Sequence, residues 1–168
     1  MIIRISRVLF ASIITALLFG LTGAAYGVDG VILIDQNRAL AGNVTPGDAP
    51  GFPVTISQPG SYRLAGNVTV PAGVNGIQIN ADNVTLDLNG FTIFGLGAGA
   101  FTNGVFSVFR SMITVMNGSV RAFFVGLLIG GGTSHRIDRV SAVENGQAGF
   151  QLDGDYGTVV DSIANLTR

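Results

Sequence analysis

The sequence predicts an all-β chain wound as a right-handed parallel β-helix, a single-stranded solenoid of about 22–24 residues per coil. Glycine followed by an alternating apolar stretch recurs at Gly76-Ile77-Gln78-Ile79, Gly104-Val105-Phe106-Ser107, Gly126-Leu127-Leu128-Ile129 and Gly149-Phe150-Gln151-Leu152. Their starts lie 28, 22 and 23 residues apart. A fixed period in this range marks a solenoid, where each turn buries its apolar face only by stacking on its neighbours. The segments between strands are short and rich in Gly and Asn, so the helical crossover that parallel strands ordinarily need does not fit. A chain that winds in one direction, pairing each strand with its equivalent one coil on, removes the conflict. A β-sandwich or a propeller needs longer repeats and hairpin signals that are absent here.

Taken in order, the first element is residues 1–27. Arg4 and Arg7 precede an apolar run over residues 8–21, and small residues follow at Gly23, Ala24, Ala25 and Gly27. This is the layout of a secretory signal peptide cut after Ala25 or Gly27. It predicts an exported protein, periplasmic or extracellular, that meets the membrane only through this segment during export. The alternative is an uncleaved anchor, because no charge separates Arg7 from Asp29, a gap long enough to span a bilayer. The small residues favour cleavage.

Residues 28–73 are read as an N-terminal cap with the first coils. Leu40-Ala41-Gly42-Asn43-Val44-Thr45 recurs letter for letter as Leu64-Ala65-Gly66-Asn67-Val68-Thr69, and reads as a second repeat. Between the copies, Pro46, Pro50 and Pro53 mark a surface loop, since proline cannot donate to a ladder.

Residues 74–168 hold the coils proper. A second strand per coil is expected within residues 83–90, 112–118, 136–142 and 158–163. Stacking the coils gives two inward columns from the first strand: Ile77, Val105, Leu127, Phe150, and Ile79, Ser107, Ile129, Leu152, with Ser107 the misfit. The second strand is expected to supply Leu88, Val115, Ile137 and Val160. The longest spacing is assigned to a loop over residues 95–103 that bulges out. Nothing after the last strand resembles a capping element, so the β-helix is expected to continue beyond this chain. The open C-terminal coil would then be a template for self-association.

Composition narrows the function. Charged residues are 11%, the formal net charge is −1, and all nine basic residues are scattered arginines. No basic stripe exists to neutralise a phosphate backbone, which argues against a nucleic-acid partner. The absence of cysteine excludes disulfides, thiolate metal sites and a cysteine nucleophile.

Candidate chemistry gathers near the C-terminus. An offset of 23 would stack Asp138 and Asp161 in neighbouring coils, while Asp153 and Asp155 leave the next strand at its turn. Two close carboxylates could act as acid and base on a glycosidic bond, or hold Ca²⁺ through oxygens, with Asp153 and Asp155 as its ligands. The plainer reading places these acids at turns or on the solvated face, paired with Arg136 or Arg139. His135 is the only histidine: a catalytic candidate or a turn residue, and too few for a multi-histidine metal site. Asn43, Asn67, Asn83, Asn117 and Asn165 fit the N-glycosylation pattern but read better as corner residues of the coil. Phe106 and Leu128 fall in an outward column with Gln78 and Gln151, either lying under the glycine loop or forming a sugar-stacking surface. Cover by the loop is the favoured reading.

The run Ile56-Ser57-Gln58-Pro59-Gly60-Ser61-Tyr62-Arg63-Leu64, then Gly66 to Pro71, then Asn83 to Ile93, resembles the opening of bacterial β-helix repeat proteins of the pectin-lyase-like superfamily. That resemblance implies the fold; its members include lyases, hydrolases, epimerases and adhesins, so it implies no single activity. The hydrolytic members' Asn-Thr-Asp triplet, Asp-Asp pair and Gly-His-Gly do not occur here. The lyase members use Ca²⁺ held by acidic residues with an Arg or Lys base, and this chain has no lysine and no contiguous acidic cluster. The expected function is an exported, carbohydrate-associated binding or surface scaffold protein with an extended polysaccharide as partner. The alternative is a polysaccharide lyase or glycoside hydrolase, its site on adjacent coils or in sequence beyond this chain. Whether the protein is an enzyme stays open at this point.

Overall fold

A computed structural model describes residues 30–97 and 101–166. The segment read as a signal peptide lies outside the described residues. Among the described residues, fourteen strands and one short helix stack as a parallel β-solenoid of about five turns. The strands are β1 (Val31–Ile34), β2 (Val54–Ile56), β3 (Gly60–Leu64), β4 (Val68–Val70), β5 (Ile77–Ile79), β6 (Val84–Asp87) and β7 (Thr92–Gly95). They continue as β8 (Asn103–Val108), β9 (Ile113–Arg121), β10 (Val125–Thr133), β11 (Arg136–Asn145), β12 (Ala148–Asp155), β13 (Thr158–Val160) and β14 (Ile163–Leu166).

One sheet runs β2-β5-β8-β10-β12 and contains the first strand of each coil. Its register stacks Ile77 on Val105, Val105 on Leu127 and Leu127 on Phe150, the column expected from the glycine spacing. Ser107 stacks between its expected neighbours at 1% exposure because its hydroxyl donates to the Ile79 carbonyl, 3.2 Å away. A buried hydroxyl with a partner is tolerated in an apolar stack.

The larger sheet carries two further strands per coil, where the sequence reading placed one. β6 and β7 are separate, but their equivalents in the next coils fuse into the long bent strands β9 and β11. The bend falls at Asn117 (φ 58°) and Arg139 (φ 52°), and Asn89 (φ 53°) turns the same corner in the preceding coil. Asparagine tolerates this left-handed geometry because its short amide can bond locally. The third strand adds a column of Val68, Ile93, Val120, Ala142 and Ala164.

Two expectations are corrected. The inward column of the second strand is Leu86, Val115, Ile137 and Val159, in place of Leu88 and Val160 at its ends. Leu86 and Leu88 share parity, so alternation cannot choose between them; Leu88 is buried past the strand end, where its amide meets the Met116 carbonyl. The identical hexapeptides are not equivalent either. The first closes helix α1 (Gln36–Ala41), leaving Leu40 53% exposed, whereas the second runs through β3 into β4 with Leu64 buried. Asp35 caps α1 by accepting from the Arg38 amide at 2.8 Å, a start signal that the second copy lacks.

The repeating glycines are explained by close approach. A Cβ on Gly126 would stand 2.5 Å from the Gly149 carbonyl oxygen and 3.1 Å from Ala142 Cβ, and Gly76 and Gly104 meet the next coil in the same way. Only a hydrogen fits where the first strand bends against the third.

Candidate functional site

The acidic candidates separate once the register is known. Asp138 lies opposite Met116 and Val160, so it does not stack on Asp161. Asp161 falls instead in the corner column of Asn117 and Arg139, exposed and left-handed (φ 45°). Asp138 is 5% exposed, and both of its carboxylate oxygens are taken: Arg136 donates to Oδ2 at 2.9 Å and Arg139 to Oδ1 at 2.9 Å. The Arg139 Nε donates to Asn117, whose amide donates to Asp87, and Arg63 donates to the other oxygen of Asp87 at 3.2 Å. Charge is thus neutralised link by link along one corner of the solenoid, as buried carboxylates require.

His135 is buried to 1% exposure at the turn between β10 and β11. Its Nε2 lies 2.8 Å from the Gly131 carbonyl and must therefore carry the proton; it ties down the irregular end of β10. Asp153 and Asp155 lie on β12 in the other sheet, opposite Gly130 and Thr133, both exposed, with Asp153 accepting from Gln151. Among the described residues no group of three or more His, Asp and Glu side chains is placed to hold a metal. Asp153 and Asp155 could supply at most four of the six to eight oxygens that Ca²⁺ takes.

A different site emerges on the outer face of the first sheet. Register stacks Gln78, Phe106, Leu128 and Gln151 in one outward column. Beside it, a groove of about 410 Å³ has Phe106, Leu128 and Gln151 as its floor. Phe101, Phe124 and Gln147 line its side, with Asn103 and Val125 between. The Phe101 and Phe124 rings meet at 5.8 Å and 50°, a tilted contact that braces the wall. Asn103 is held from behind, its amide nitrogen 3.3 Å from the Asn75 side-chain oxygen.

The wall residues escaped the sequence reading because they sit at turns, where no periodicity marks them. Only the adjacent Phe123-Phe124 pair hints at one ring in and one ring out; Phe123 is buried to 1% and Phe124 faces the groove. The expected cover over Phe106 and Leu128 is partial, since both remain half-buried while Phe101 lines the groove. Residues 98–100 of that loop lie outside the described residues. Comparison of the chain with protein-family models finds no match, and none is found among curated proteins or solved structures.

Proposed function

We propose that this chain is an exported binding or scaffold protein of the pectin-lyase-like type. Its outer groove holds an extended polysaccharide lengthwise along the solenoid. The observation that carries this reading is the floor of Phe106, Leu128 and Gln151, one residue from each of three successive coils. Side chains repeated at the strand spacing of about 4.8 Å suit a ligand that is itself a repeat. Aromatic faces stack on sugar rings, and amides supply the few directional contacts that such sites use. Export rests on Arg4, Arg7 and the apolar run that follows.

A hydrolase site built on Asp138 and Asp161 needs a free carboxylate pair. Asp138 is bound by two guanidinium groups and Asp161 stands in another column, which weakens that reading. The test is affinity electrophoresis of the full chain in gels carrying a panel of soluble polysaccharides. Retardation should be reduced about tenfold in apparent affinity by Phe106→Ala. Release of reducing or unsaturated sugar ends from the same panel, with or without Ca²⁺, would favour the enzyme instead.

A further inference from the structure

We infer that the groove selects an uncharged glycan over a polyuronate or any other acidic chain; this rests on the reading of the groove as a polysaccharide site. Among the described residues its lining contains no acidic and no basic side chain. What it offers is three aromatic rings, two aliphatic side chains and three primary amides. An acidic sugar polymer brings one carboxylate per ring and needs a cation for each that it desolvates. The charges nearest in the register make matters worse for an anion. Asp153 follows Gln151 by two residues on the same outward side, and the two side chains are joined at 3.2 Å. The ring faces of Phe101 and Phe124 carry negative quadrupole potential, which attracts polarised sugar C–H groups and repels carboxylates.

The amides complete the argument. Gln147 is exposed at the wall, and Gln151 keeps its side-chain oxygen pointing to no protein donor among the described residues. A primary amide donates and accepts at once, which matches the hydroxyl of a neutral sugar, itself both donor and acceptor. A carboxylate can only accept and would waste half of each amide. Arg136 and Arg139 are engaged on Asp138, Arg63 on Asp87 and Arg121 on Glu144, while Arg110, whose Nε has no hydrogen-bond partner, is not among the residues that line the groove.

The experiment compares the full chain in gels containing a neutral polymer, a soluble mixed-linkage glucan or a galactomannan, with gels containing polygalacturonate or alginate. The expected result is retardation by at least one neutral polymer, insensitive to salt, with affinity about tenfold or more above that for the polyuronates. Gln147→Arg, at an exposed position whose side chain makes no hydrogen bond among the described residues, should raise polyuronate binding at low salt, and added salt should abolish the gain. Equal or stronger binding of polyuronate to the unaltered chain overturns the selectivity while leaving polysaccharide binding intact. Binding to none of the polymers removes both readings. Neutral binding that survives Phe124→Ala and Gln151→Ala in chains with unchanged circular dichroism, or a polyuronate affinity that Gln147→Arg fails to move, places the ligand elsewhere and overturns the inference too.

Discussion

Leu127 and Gln151 lie one coil apart on opposite faces of the same sheet, and that difference sets the cost of a charge at each. Leu127 is fully buried between Val105 and Phe150, so Leu127→Asp should destabilise by several kcal/mol, about 3–5, read as a drop in the urea midpoint. Gln151 is exposed, and Gln151→Glu should cost less than about 0.5 kcal/mol. Equal losses would mean the register is wrong. Asp138 presents the opposite case, a buried charge that belongs where it is. Asp138→Ala should cost about 1–2 kcal/mol, limited because Arg136 and Arg139 are half-exposed and can turn to water. Tyr62 gives the fold an alkaline limit. Burial raises its phenol above the ordinary value of 10.0, and its hydroxyl donates to the Gln58 carbonyl at 2.8 Å. Because the folded-state value lies above the unfolded one, its contribution is whole below about pH 10 and is lost as pH rises through the folded value. Tyr62→Phe should flatten that alkaline fall, at the cost of one hydrogen bond at neutral pH.

Within the strands, the glycine seam decides how tightly a coil can bend. Gly126→Ala puts a Cβ 2.5 Å from a backbone oxygen of the next coil, which cannot retreat without breaking the ladder. A loss of about 1–3 kcal/mol is expected, whereas Gly130→Ala, whose nearest neighbour would be Val108 Cγ1 at 3.6 Å, should change stability little. Thermal melting of the two variants separates the cases. The first strands were legible in the sequence because glycine marked their start and alternation fixed their inward side. The third strand was not, since Ile93, Val120 and Ala142 follow corners whose left-handed residues vary from Asn to Arg. The repeated hexapeptide misled for a related reason. Six residues carry too little burial to override the Asp35 cap in one copy and the ladder from β3 in the other.

The whole molecule follows from one rule of winding, which is why its architecture could be read from spacing while the walls of its groove could not. A column is a sum over coils and leaves a period; a groove wall is made of turn residues such as Phe101 and Phe124, which answer to no period. The floor of the groove, Phe106, Leu128 and Gln151, was legible for the same reason as the core, being its outward alternate. Asp138 and Asp161 do not stack because the register between Ile137 and Val159 is 22 residues and not 23, enough to move Asp161 into the next column. The parallel ladders described above also carry a mechanical consequence. Every rung of hydrogen bonds lies along the solenoid axis, so tension along that axis opens a coil edge one bond at a time, while a sideways load must shear a whole row together. Pulled from its two ends, the molecule should unspool coil by coil at low force. Each 22-residue coil would release roughly 7 nm of chain. It is a spring that yields lengthwise and a stiff beam across.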